Sequence, residues 1–163
     1  MRKHGVVLAM IALLVAAWGA SASALNSPKV FSLLEVSGQT LPVNGFAFQR
    51  APVGGDQFGF VDTLYKWAGT KRGARAGRVQ GLGTFVTVGA EGGTIMFVGQ
   101  AYLQGGTVLV QGYAQFPANG PSTFTLPVVG GTGIYDNVRG YVKVRDLGNG
   151  NQDKQNLEFH LLP

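Results

Sequence analysis

The 163-residue chain has no cysteine and only two histidines, His4 and His160. Without thiols there can be no disulfide, no thiolate metal site and no cysteine nucleophile. His4 falls in an N-terminal leader, so one histidine is left for everything downstream. A histidine metal centre or a Ser-His-Asp triad is hard to build from one. Charge is also scarce, with Asp, Glu, Lys and Arg making up 13% of residues. No segment after the leader shows an apolar stripe at helical spacing. Gly is abundant at 26 residues but follows no Gly-X-Y period. Each interior Gly costs a helix about 1 kcal/mol, so this composition disfavours helices and suits many short strands and turns.

One long apolar run is present. Arg2 and Lys3 give a positive start, apolar residues extend from Gly5 to Gly19, and Ala22-Ser23-Ala24 supplies a small-x-small cleavage pattern. The run is short against the roughly 20 residues of a membrane span. The expectation is a signal peptide over residues 1–24 and a secreted, extracellular domain over 25–163. No Cys follows the run to carry a lipid anchor. The formal charge of +5 includes Arg2 and Lys3, so the domain itself carries 11 Lys and Arg against 8 Asp and Glu. That balance is too mild to indicate a nucleic-acid partner. The densest cationic run, Lys66, Lys71, Arg72, Arg75 and Arg78, has only Trp67 among it to stack a base and reads as a solvated loop.

Apolar residues after the leader alternate with period two. Strands are expected over Val30–Val36, Phe58–Tyr65, Gly77–Val88, Thr94–Leu103, Thr107–Phe116, Thr123–Val129, Arg139–Asp146 and Gln155–Leu162, with Gly45–Gln49 a short further candidate. Residues 51–56, 66–76, 117–121 and 148–151 read as loops, and Gln104-Gly105-Gly106 as a hairpin turn. Eight or nine strands in about 139 residues leave a sandwich or a closed barrel. An eight-stranded barrel is either packed solid or holds one small ligand.

The stretch Leu126-Pro127-Val128-Val129-Gly130-Gly131-Thr132-Gly133 could cradle a phosphate, but no Gly-Lys-Ser/Thr or G-x-G-x-x-G pattern is present and no amphipathic helix follows. With Arg139-Gly140-Tyr141 it instead resembles the signature of dirigent proteins, which share the allene oxide cyclase barrel. Gly77-Arg78-Val79-Gln80-Gly81 is similar to that family's Gly-Arg-Ala-Gln-Gly strand. Phe60-Val61-Asp62-Thr63-Leu64 resembles its Asp-containing strand, and the three blocks occur in family order. The resemblance implies an all-β, eight-stranded antiparallel barrel, a homo-oligomer (commonly a trimer), with a cavity at one end and no cofactor or metal. It also implies a small apolar or phenolic ligand whose stereoselective coupling or cyclisation the barrel directs. A separate oxidase would be needed where the reaction is radical coupling. Short leader and compact length suit a bacterial secreted member. Many plant members carry an acid directly after Gly-Thr-Gly, where this chain has Ile134.

Among candidate site residues, Asp62 shares parity with Phe58, Phe60 and Leu64. A carboxylate on an apolar strand face is costly to bury, and this raises its affinity for a proton. Such a group can donate a proton or hold a phenol or enol. Arg139, from the Arg-Gly of the signature, is a candidate anchor for a ligand oxygen, although its parity with Tyr141, Lys143 and Arg145 points it away from Val142 and Val144. Gln100, Tyr102 and Tyr113 are candidate ligand-binding residues on the central hairpin. The sequence leaves three roles open: a barrel that directs coupling or cyclisation, a lipocalin-like binding protein without turnover, and a structural barrel with a filled interior.

Overall fold

The computed structural model describes residues 25–44, 46, 48–69, 71–118, 122–147 and 154–163, so the expected signal peptide lies outside the described residues. Eight strands follow one another: β1 (Lys29–Val43), β2 (Gln57–Trp67), β3 (Arg72–Gly89), β4 (Gly92–Leu103), β5 (Gly106–Pro117), β6 (Thr123–Gly133), β7 (Arg139–Asp146) and β8 (Lys154–Leu162). Each pairs antiparallel with its neighbour in sequence, and β1 also pairs with β8, which closes the barrel. Closure leaves no sheet edge to recruit another chain.

Two expectations from the sequence need correction. Residues 66–76 are not one loop: β2 runs to Trp67, β3 starts at Arg72, and the two extend as a ribbon with Trp67 opposite Arg72 and Tyr65 opposite Arg75. The ribbon's basic residues lie on it in the open, with the Arg72 guanidinium 4.8 Å from the centre of the Tyr65 ring. Gly45–Gln49 is not a strand, because β1 continues instead to Val43 and its described residues, Phe46, Phe48 and Gln49, belong to the β1–β2 connection.

Barrel curvature comes from extra residues inserted on one strand of a pair. Between β1 and β2 the register passes from Val36↔Thr63 to Gln39↔Val61, so Ser37 and Gly38 together face Asp62. Gly81 and Gly83 of β3 face inward, and each is filled by a ring from β2. A Cβ on Gly83 would sit 2.4 Å from the Phe58 ring, and one on Gly81 would sit 2.8 Å from Phe60 and 2.4 Å from the Val98 carbonyl. The missing side chains are therefore notches in which the β2 rings lie.

The glycines of the Leu126–Gly133 stretch reverse the chain. Gly133 adopts φ +66°, where a Cβ would meet the Gly105 carbonyl at 2.1 Å, and the Tyr135 and Asp136 amides bond back to Thr132 and Gly133. No helix follows, so no helix N-terminus is available for a phosphate. The reversal delivers Tyr135 and Val138 into the barrel's closed end. There they pack with Leu33, Leu64, Val108, Val128 and Leu161 in one buried cluster. Leu64, Val108 and Val138 are fully buried, and full burial of each such side chain stabilises by about 1.5–3 kcal/mol.

Candidate functional site

The other half of the barrel is hollow. A cavity of about 610 Å³ extends to the β1–β2 connection, where Phe46, Phe48, Arg50 and Pro52 form its rim. That volume suits a small organic ligand, and it removes the reading of a solidly filled, purely structural interior. Nine of the chain's ten phenylalanines line it. Phe97 is the hub: its ring centre lies 5.8 Å from Phe124 in a stacked pair, and 6.1–6.3 Å from Phe58, Phe60 and Phe116. These rings come from β2, β4, β5 and β6, so the wall is a continuous aromatic surface rather than one strand's stripe.

Two carboxyl groups reach into this wall, Asp62 from β2 and Glu35 from β1. They are 8% and 9% exposed and hydrogen-bonded to each other. The bulge at Ser37-Gly38 arranges the pair. Its Gly38 amide donates to Asp62 Oδ1 at 2.7 Å, and a Cβ at Gly38 would meet the Val61 carbonyl at 2.5 Å. With one oxygen of Asp62 taken by a backbone donor, Asp62 is the acceptor of the pair and Glu35 holds the proton. Burial, then the hydrogen bond and the negative charge of Asp62, hold the Glu35 carboxyl well above the usual carboxylate range.

At the rim, Arg50 makes a two-pronged ion pair with Asp56, at 2.6 and 2.7 Å, and lies 5.3 Å from the Phe46 ring centre. Asp56 also accepts the Val53 amide at 2.8 Å, which stitches the β1–β2 connection together. Arg50 and the Val53 amide hold the Asp56 carboxyl below its ordinary range, burial opposing them. Among the described residues, the only cation lining the cavity is therefore already committed to a carboxylate.

Asp62 lies on the cavity wall, and the structure pairs it with Glu35 rather than with Arg139. Arg139 is exposed at the opposite end of the barrel, where its guanidinium donates to the Val129 and Val138 carbonyls at 3.4 and 3.0 Å. Gly140 adopts φ +129° but does not turn the Arg inward. Alternation puts Gln100, Tyr102 and Tyr113 on the outer wall. Tyr102 receives hydrogen bonds from Gln80 and Gln100 and lies under the Arg78 guanidinium, while Tyr113 is 64% exposed. None of these four residues lines the cavity. Ile134, directly after Gly131-Thr132-Gly133, packs on the core of the closed end.

Glu35 was not among the residues singled out in the sequence. Its signal was present: Phe31, Leu33 and Glu35 share parity, as Phe58, Phe60 and Asp62 do. What hid it is that Val30, Leu34 and Val36 on the other face are also apolar, so β1 shows no alternation to mark an inner side.

No protein-family model and no curated protein matches this sequence. Solved structures do. A pyocyanin demethylase superposes with a TM-score of 0.64 at 22% identity, over 82% of this chain and 100% of its own. A pterocarpan synthase dirigent protein gives 0.61 at 19% identity, over 83% and 94%. The Diels-Alderase AbmU from Streptomyces koyangensis gives 0.64 at 17% identity, over 95% and 71%. This chain shares the closed eight-stranded barrel of the dirigent proteins and of these cyclase barrels.

Proposed function

We propose that this protein is a secreted barrel that takes a small, largely apolar ring-bearing molecule into its phenylalanine-lined cavity and directs that molecule's cyclisation or coupling. The observation that carries the reading is the Glu35–Asp62 pair, a protonated and an acceptor carboxyl side by side in an otherwise apolar cavity. Orientation would come from the aromatic wall, which restricts how a reacting chain or ring can fold. Chemistry would come from the pair: Glu35 gives its proton to a carbonyl, enol or ring oxygen as bonding shifts, Asp62 stabilises the positive charge that develops, and Glu35 takes a proton back as the product forms. A cyclisation of this kind is an isomerisation and needs no oxidant. Radical coupling would need a separate oxidase to make the radicals. Barrels of the same fold include a dirigent protein and two Diels-Alderases, which supports a stereo-directing role at the level of fold.

The test is a product assay. Extract from the producing cells is incubated with the protein and resolved by chiral chromatography. The wild type should shift the isomer ratio of at least one product, and Asp62→Asn should abolish the shift while the protein remains folded. A shift that survives Asp62→Asn removes the pair from the mechanism. A ligand that binds one-to-one and returns unaltered makes the barrel a carrier.

A further inference from the structure

The charge inside the cavity specifies the ligand's polar group, given the reading above that the cavity is a ligand site. Among the described residues, the cavity wall carries three charged side chains: Glu35, Asp62 and Arg50. Arg50 sits at the rim with both guanidinium prongs on Asp56. Deeper in, two carboxyls share a proton and no cation faces them. An anionic ligand would bring a second negative charge beside the pair in a site of low dielectric, with nothing to compensate it. A neutral ligand would add no opposite charge to the pair of Asp62 with Glu35 and the Gly38 amide. A ligand bearing a protonated nitrogen would neutralise the pair with a charge-assisted hydrogen bond, roughly twice as strong as a neutral one.

The walls agree with the floor. Faces of Phe rings attract cations. The rim already shows this contact, in Arg50 over Phe46. We infer that the cavity selects planar aromatic molecules carrying one basic, protonated nitrogen, with the rings against Phe58, Phe60 and Phe97 and the nitrogen at Glu35 and Asp62. The domain's excess of 11 Lys and Arg over 8 Asp and Glu works against such ligands from outside, so a preference for cations has to originate in the cavity.

Three fluorescent probes of one ring system test this: anthracen-9-ylmethylamine (cation), anthracen-9-ylmethanol (neutral hydroxyl) and anthracene-9-carboxylate (anion). Each is titrated into the full domain at neutral pH. The amine should bind one-to-one, roughly tenfold or more tighter than the alcohol, and the carboxylate weakest of all. The order should persist in 0.5 M salt, because a buried pair is poorly screened. Glu35→Gln combined with Asp62→Asn should bring amine and alcohol to equal affinity. Equal binding of all three probes by the wild type leaves the cavity a ligand site and overturns the charge selection. A hydroxyl probe as tight as the amine does the same and points to phenols. Binding of none of the three overturns both the selection and the ligand-site reading. The wild-type order alone decides, whether or not the double variant folds.

Discussion

Glu35→Gln should make the protein more stable at neutral pH, and the gain should grow with pH in a defined way. The unfolded Glu35 carboxyl ionises near its ordinary value of 4.5. In the folded protein burial and Asp62 keep it protonated well above that. A raised folded value means that the stabilisation is fully present below about pH 4.5 and is lost as pH rises towards ionisation of the folded group. Through that window the unfolded state holds one proton fewer than the native state. Stability therefore falls by about 1.4 kcal/mol for each pH unit. Glutamine keeps the shape and still offers Asp62 an N–H, but it does not titrate. Urea unfolding followed by circular dichroism from pH 4 to pH 8 gives the comparison, with the midpoint shift read at constant m-value. Wild type and variant should agree near pH 4 and diverge above it, the variant rising relative to wild type at about that slope until the folded carboxyl ionises. Asp56, held low by Arg50, loses its stabilisation as pH falls, but both proteins carry it and it cancels. Parallel stability curves, or a variant less stable throughout, would refute a buried proton on Glu35.

Two further substitutions separate the site from its frame. Gly81→Ala forces the β4 backbone at Val98 and the Phe60 ring to move, and should cost about 1–3 kcal/mol in the same unfolding experiment. Gly83→Ala meets only the Phe58 ring; it should cost less stability yet weaken the amine probe by pushing that ring into the cavity. Arg139→Ala should leave probe affinity and product ratio within twofold of wild type, since its side chain bonds carbonyls at the far end of the barrel; a larger loss would place Arg139 in the site after all.

What the sequence disclosed follows from how each strand meets solvent. β7 and β8 were legible almost to the residue because one face is buried and the other wet, as in Leu157, Phe159 and Leu161 against Glu158 and His160. Asp62 was legible for the same reason, standing in phase with Phe58 and Phe60. The β2–β3 ribbon was not: beyond Trp67 both of its faces are solvated, so no alternation marks it as a strand, and its cations looked like loop. β1 failed in the opposite way. Leu34 is buried on the outside of the barrel while Leu33 and Glu35 are buried inside, so an apolar run gave no phase by which to see Glu35. Arg139, Gln100, Tyr102 and Tyr113 were chosen by residue type or signature, and period two already pointed Arg139 outward.

The bulge joins these strands into one device. A regular β1–β2 ladder would pair Asp62 with a single residue, leaving the amides of Ser37 and Gly38 to ordinary cross-strand bonds. Inserting one residue frees the Gly38 amide to reach the Asp62 carboxylate at 2.7 Å. That donor separates two carboxyls that would otherwise be equivalent, making one the acceptor and the other the proton carrier. Only glycine fits there, with the Val61 carbonyl 2.5 Å from where a Cβ would be. Ile134, which follows Gly-Thr-Gly, is packed against Gly105 at the closed end. In this chain the buried carboxyl pair lies instead on β1 and β2, where the barrel is hollow and a glycine at a bulge donates to Asp62.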